Sequence, residues 1–197
     1  MGNGPSTPAE CGLMVTKKIS KCSNGRLNLN RDLNWKSVGP DGWRAAFATV
    51  KQEGKGRVHT LLLESNYLES EGARLIAEEV QLCPFIHTLV FRGNTHLKEE
   101  GVRVLLEGLG ASSGVRTLNI SRTALKGAAG GAVVGEWLAQ QPHLQELYLN
   151  GNNLGFLGVK VLLGGREGGC CRCHHYHHRP PPPLGALGGP WRGAVAW

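Results

Sequence analysis

The segment at residues 144–154, LQELYLNGNNL, determines the fold class. Leucines occupy its first, fourth, sixth and eleventh places, and Asn152 occupies the ninth. The alternation through Leu147, Tyr148 and Leu149 predicts a short strand with two side chains pointing inward and one pointing outward. The glycine and asparagines that follow predict a turn, whose backbone an asparagine side chain can hydrogen-bond. A strand and turn of this length cannot bury its own apolar face, so it needs neighbouring copies.

Three more copies precede this segment. The leucine at the fourth place recurs as Leu118, Leu89 and Leu61, at intervals of 29, 29 and 28 residues. The ninth place holds Thr123, Asn94 and Asn66, so three of the four copies keep the asparagine. The regular spacing predicts parallel strands that lie side by side.

A helical pattern follows each strand. Apolar residues recur there at positions i, i+3, i+4 and i+7, which is the spacing of one helix face. A similar set one period upstream predicts a fifth, degenerate copy before the others. The sets are Trp43, Ala46, Phe47 and Val50; Ala73, Ile76, Ala77 and Val80; Val102, Leu105, Leu106 and Leu109; and Val133, Val134 and Trp137.

A period near 28 residues with one strand and one helix per unit resembles a leucine-rich repeat. The repeat length and the helix are similar to the ribonuclease-inhibitor-like type. The resemblance is strong over residues 58–163 and weak over residues 27–57. It implies an α/β solenoid, a short horseshoe arc with parallel strands on the concave face, helices on the convex face and disordered ends. We expect a flexible basic leader at 1–26, about five repeats at 27–163 with the first degenerate, and a low-complexity Gly/Cys/His/Pro tail at 164–197.

The first copy does not follow the register of the others. Leu27, Leu29 and Leu33 stand where its strand should be, but counting back from Gly42 puts Arg31 at an inward place. A terminal repeat must present a polar outer end to water, and we therefore expect an irregular strand here.

The resemblance implies a protein-binding surface on the concave face. Residues that flank the inward strand places should form ladders, one residue from each copy, at the spacing of neighbouring strands. Arginine and tyrosine contribute strongly to protein interfaces, whereas threonine and valine are also simply good strand formers. The candidate partner-binding residues are Thr60, Leu62, Glu64, Thr88, Val90, Arg92, Thr117, Asn119, Arg122, Glu146, Tyr148 and Asn150.

The sequence lacks the motifs of the common catalytic classes in their required context. It contains no H-E-x-x-H and no G-x-x-x-x-G-K-[ST], and its G-x-S-x-G match, GASSG at residues 110–114, follows a predicted helix rather than the strand that such a motif requires. We therefore predict a non-enzymatic interaction module with no cofactor and no small-molecule substrate, whose protein partner the sequence does not identify. The alternative is a regulator of a small GTPase, because the repeats also resemble those of Ran GTPase-activating protein. That family has a longer array and an acidic tail.

The net charge of +7 lies mostly at the two ends of the chain. Residues 1–57 hold ten Lys or Arg against four acids, residues 58–163 hold eight against ten, and the remainder holds four against one. A nucleic-acid reader needs a basic stripe with aromatics on a structured face. The predicted concave places offer none, so we expect no nucleic-acid partner.

The start of the chain matches a lipidation pattern. MGNGPS fits M-G-x-x-x-[ST], with Gly2 as the acceptor of a myristoyl group. One acyl chain binds membranes only marginally, and Lys17, Lys18, Lys21 or a palmitoyl group on Cys11 could supply the second signal. The alternative is a chance match in a flexible leader. The scattered cysteines favour reduced thiols in a cytoplasmic protein, with peripheral membrane attachment if Gly2 is acylated.

The tail contains a dense run of metal-ligating residue types. No second ligand pair follows at the spacing of a zinc finger, which argues against a defined metal site. His59 and His87, one repeat apart, also lack a carboxylate or thiol to complete a site. The tail's apolar residues could instead cover the end of the solenoid, that end could pair with another chain, or the sequence could depart here from a longer repeat protein. The residues of the weak metal alternative are Cys170, Cys171, Cys173, His174, His175, His177 and His178.

Overall fold

The computed structural model describes residues 4–110, 114–164 and 194–196. It is an α/β protein in which strands and helices alternate along the chain, as in a solenoid-like arc. The elements in order are α1 (Pro8–Ser20), β1 (Arg26–Asn28), α2 (Trp35–Glu53), β2 (Thr60–Leu62), α3 (Ser70–Gln81), β3 (Thr88–Val90), α4 (Lys98–Leu109), β4 (Thr117–Asn119), α5 (Gly127–Leu138), β5 (Glu146–Tyr148), α6 (Gly155–Leu162) and β6 (Ala194–Ala196).

The described strands form one parallel sheet in chain order, β1 to β6. Leu61, Leu89, Leu118 and Leu147 stand side by side, as the spacing predicts, and each is 0% exposed. Each named strand is only three residues long. Backbone bonds continue the ribbon at both ends, so a longer stretch of every copy is aligned with its neighbours.

The core lies between the sheet and the helices. The second inward residue of each copy is buried beside the first, and the predicted helical sets pack against both. This confirms the inward places and the helix faces that periodicity predicts. Burial of this continuous apolar layer is the main favourable term for such a fold, because no single copy could bury its own face.

The ninth-place asparagines join neighbouring copies. The Asn94 amide group donates to the Leu63 carbonyl of the preceding copy at 2.9 Å and to the Phe91 carbonyl of its own copy at 2.7 Å. Its Oδ1 accepts from two backbone N–H groups of the preceding copy. Asn66 and Asn152 bond their preceding copies in the same way. The asparagine therefore bridges two turns, beyond the single turn expected.

The prediction of a flexible leader is wrong for its described part. Residues 8–20 form α1, which begins with a capping box between Thr7 and Glu10. Cys11, Val15 and Ile19 recur every four residues and are 0–1% exposed against the core. A side-chain hydrogen bond from Thr16 to Glu53 and an ion pair from Lys18 to Asp32 hold α1 in place.

The first copy keeps its strand register, contrary to the expectation of an irregular strand. Leu27 pairs with Leu61, and both Leu27 and Leu29 are 1% exposed. The extra residues lie later, where Gly39 breaks the helical geometry within α2 at φ 63°. Counting back from Gly42 failed because this insertion separates the strand from the helix.

Glycines set the approach of α5 to α6. A methyl group on Gly131 would overlap the Gly158 carbonyl, and one on Gly135 would lie 3.0 Å from the Leu162 carbonyl oxygen. The backbones of the two helices therefore touch with no side chain between them. The glycine-rich start of α5 is explained by packing.

The end of the chain is described only in part. β6 pairs with β5 in parallel, with Val195 opposite Leu147, so the expectation of a disordered end is wrong for residues 194–196. The rest of the predicted tail, including the Cys/His run at 170–178, lies outside the described residues, as does Gly2.

Candidate partner-binding face

The outward side of the strands forms a continuous surface, here named the strand face. It comprises places two to eight of each copy other than the buried places four and six, within residues 25–31, 59–65, 87–93, 116–122 and 145–151. Strand pairing aligns Thr60, Thr88, Thr117 and Glu146 in one ladder, and Leu62, Val90, Asn119 and Tyr148 in the next. The structure therefore brings together the candidate residues of these two ladders.

The candidate residues differ in how much they offer a partner. Arg92, Arg122 and Glu146 are exposed, whereas Leu62, Val90 and Tyr148 are half-buried. Thr60 is only 6% exposed, and its hydroxyl lies 3.1 Å from Nδ1 of His59. Thr60 is therefore a structural residue more than a contact. The accessible candidates concentrate in the third to fifth copies.

A polar cluster lies where the fourth and fifth copies meet. Glu146 Oε2 accepts hydrogen bonds from the Thr117 hydroxyl at 3.3 Å and the Tyr148 hydroxyl at 3.2 Å. Burial raises the pKa of Tyr148, and the charge of Glu146 and the hydrogen bond to it raise it further. Tyr148 is thus held as a neutral phenol with a fixed ring. Ser121 donates to Asn150 nearby at 3.4 Å.

The eighth place has a left-handed backbone in every copy. Gly93 and Gly151 have φ of 79° and 69°, a conformation that glycine adopts without strain. Arg31, Ser65 and Arg122 adopt φ of 59°, 54° and 53° at the same place. A methyl group on Gly151 would lie 2.8 Å from Arg122 Cγ, so the arginine stem lies against that glycine.

Sequence reasoning missed the contribution of the first copy. Arg26 pairs with Thr60 in the ladder, and the N–H of Arg31 donates to the Glu64 carbonyl at 3.0 Å. Both arginines are exposed on the strand face. Aligning Leu27 with Leu61 would have found them; counting from the helix placed Arg31 inward instead.

The helix side of the molecule contains an open groove of about 520 Å³ between α4 and α5. Its lining includes no histidine, cysteine, serine, threonine or aspartate. The lining residues are Arg103, Leu106, Glu107, Gly110, Ala129, Ala132, Val133, Glu136, Trp137 and Gln140.

The two histidines that precede β2 and β3 are accounted for by packing. The His87 N–H donates to the His59 carbonyl at 2.9 Å, so the two residues are neighbours. The His59 ring covers Gly25, where a methyl group would overlap it. Within residues 4–110, 114–164 and 194–196, no group of three His, Cys, Asp or Glu side chains could hold a metal ion.

Among the described helices, none combines the length and apolarity needed to cross a lipid bilayer. No protein-family model matches the chain, and no curated protein matches it either.

Proposed function

We propose that this chain is a leucine-rich repeat protein of the ribonuclease-inhibitor-like type. We further propose that it is a non-catalytic module that binds a protein partner on the strand face. The 28- to 29-residue period and one strand and helix per copy support the repeat type. The asparagine that joins adjacent turns supports it as well.

The observation that carries the binding proposal is the alignment of outward residues across five strands. Ladders of aligned side chains form one uninterrupted surface, and Arg92, Arg122 and Tyr148 stand on it. Arginine and tyrosine are the types that dominate the energy of protein interfaces. Tyr148 is held in position by Glu146, so little conformational entropy is lost when a partner packs on its ring.

Affinity capture with the full chain tests this function. The double variant Arg92→Ala, Tyr148→Ala should lose the proteins that the natural sequence captures. The matched control is Arg103→Ala, Phe156→Ala, which removes the same kinds of side chain from exposed places on α4 and α6. Equal recovery by both variants would contradict the assignment of the strand face.

The membrane tether is a second part of the proposal, and the structure narrows how it would work. Cys11 is 0% exposed, and burial raises the pKa of its thiol, so this fold withholds it from palmitoylation. Lys17 and Lys21 are exposed on α1 and remain available as the second signal beside a myristoyl group on Gly2. Gly2→Ala should abolish membrane association in cells, and Lys17→Gln with Lys21→Gln should weaken it. Unchanged membrane fractions would contradict the tether.

The role of small-GTPase regulator stays a prediction. Hydrolysis assays with candidate GTPases test it, and stimulated turnover would displace the interaction module as the leading function.

A further inference from the structure

We propose that the strand face takes an extended, acidic segment of a protein partner, whose carboxylates are held by Arg92, Arg116 and Arg122. This inference rests on the proposed function, because it names the class of partner for the same surface.

Basic charge is concentrated on the strand face. Its five arginines face only two glutamates, Glu64 and Glu146, and it contains no lysine and no aspartate. Helices α2 to α6 have the opposite balance, with seven Lys or Arg against nine Asp or Glu. The excess of basic residues is therefore larger on the strand face, whereas helices α2 to α6 are weakly acidic. The five arginines are Arg26, Arg31, Arg92, Arg116 and Arg122.

These arginines are available for a partner. All five are exposed, and none makes an ion pair with a described residue. Glu146, in contrast, already accepts hydrogen bonds from Thr117 and Tyr148. Opposite charges on two binding surfaces speed their association and disfavour wrong partners. The net basic charge of the strand face therefore favours a partner with an acidic surface.

The residue type favours carboxylates as the ligand groups. Arginine presents a planar fork of donors that binds a carboxylate through two parallel hydrogen bonds, which lysine cannot do. A surface whose cations are all arginine is therefore suited to bidentate recognition.

The positions of the arginines set the length of the segment. Arg116 and Arg122 lie at the two ends of the fourth copy's ribbon, six residues apart, and their separation is below the roughly 20 Å of a fully extended chain because Arg122 has a left-handed backbone. Arg92 lies in the adjacent copy near the Arg122 end, at the neighbouring-strand spacing of about 4.8 Å. An extended segment of about six residues with acidic side chains toward both ends would reach all three.

The surface between these anchors favours a polypeptide over a nucleic acid. Thr117 and Asn119 offer polar groups at outward ladder positions, and Tyr148 offers a ring beside Asn119. Single-stranded nucleic acids require several aromatic side chains on which successive bases stack. Tyr148 is the sole Phe, Tyr or Trp at an outward place of the five described ribbons, since Phe91 is 0% exposed.

Fluorescence anisotropy with the full chain tests the inference. The probes are a labelled oligoglutamate peptide long enough to span the ribbon, an oligolysine peptide and a single-stranded oligothymidine. The triple variant Arg92→Gln, Arg116→Gln, Arg122→Gln should raise the Kd for oligoglutamate at least ~10-fold. The control Arg44→Gln, Arg74→Gln, Arg103→Gln removes the same charge from the helix side and should change it less than about twofold.

Three outcomes would overturn the inference: no binding of oligoglutamate at low salt, equal loss in both triple variants, or preference for oligothymidine that the strand-face triple abolishes. These outcomes leave the proposed function separately testable. If Arg92→Ala, Tyr148→Ala loses captured proteins while oligoglutamate does not bind, the face binds a partner of another chemistry. If neither occurs, both proposals fail.

Discussion

Asn94 makes four hydrogen bonds from a side chain that is 0% exposed. Removing a buried partner leaves the opposite group unsatisfied, at about 1–3 kcal/mol for each group. Thr123 stands at the same place one copy later, and its hydroxyl donates to the Ile120 carbonyl of its own turn at 2.8 Å. The two residues therefore differ in how strongly they join adjacent copies.

We expect Asn94→Ala to lower the free energy of unfolding by about 4 kcal/mol or more, because two carbonyls and two N–H groups lose their partner. Thr123→Ala should lower it by about 1 kcal/mol, since a single donor is lost. Urea unfolding followed by circular dichroism gives both values. Similar losses for the two variants would contradict the bridging role of the asparagine.

The left-handed eighth place connects stability with binding. A non-glycine residue with this backbone conformation is strained by about 1 kcal/mol in the folded state. Replacing it by glycine removes the strain, but glycine also gives the unfolded chain more conformational entropy, which offsets part of the gain in stability. Ser65→Gly and Arg122→Gly should each raise the free energy of unfolding by about 0.5 kcal/mol. Arg122→Gly alone should also weaken oligoglutamate binding in the anisotropy assay. A stabilised Arg122→Gly protein with unchanged binding would exclude this arginine as an anchor.

At the level of single elements, α1 covers the first end of the solenoid. Ile19→Ala should lower the free energy of unfolding by about 2–4 kcal/mol, because it leaves a cavity under a helix packed on α2. Leu13 lies on the same helix and is 56% exposed, so Leu13→Ala should change it by less than about 0.5 kcal/mol. Thermal unfolding distinguishes the two. Equal, negligible effects would mean that α1 is not part of the cooperative fold.

The regular elements were predictable from the sequence, and the irregular ones show why the rest was not. Periodicity at 28–29 residues identifies β2 to β5 and α2 to α5, because each copy repeats the same inward places. The signals for α1 were present in Thr7, Glu10 and the fourfold spacing from Cys11, but this single helix has no copy to confirm it. β6 could not be anticipated, since AVA is too short to show alternation and lies far from the expected period.

The strand face shows the same division. Its ladders follow from the repeat spacing, so Arg92, Arg116 and Arg122 could be placed in advance. Arg26 and Arg31 were missed because the register was counted back from Gly42 across the insertion at Gly39, whereas aligning Leu27 with Leu61 places both. The segregation of charge between the two sides becomes visible only when all five ribbons are aligned.

At the level of the whole molecule, each copy packs on its immediate neighbours, so stability is transmitted along one dimension. Leu89 and Leu147 occupy the same place in the third and fifth copies, and both are 0% exposed. A central copy joins the two halves of the array, whereas a copy near one end supports only what lies beyond it. The same substitution should therefore destabilise different numbers of copies at the two positions.

We expect Leu147→Ala to lower hydrogen-exchange protection in β5 and α6 while β2 and β3 stay protected. Leu89→Ala should lower protection throughout the array, because the copies on both sides of it lose a packing partner. Each substitution removes the same buried atoms, at about 2–5 kcal/mol, so chemistry does not account for a difference. Hydrogen exchange measured by mass spectrometry resolves the two patterns. An identical, global loss in both variants would show that the array unfolds as one all-or-none unit.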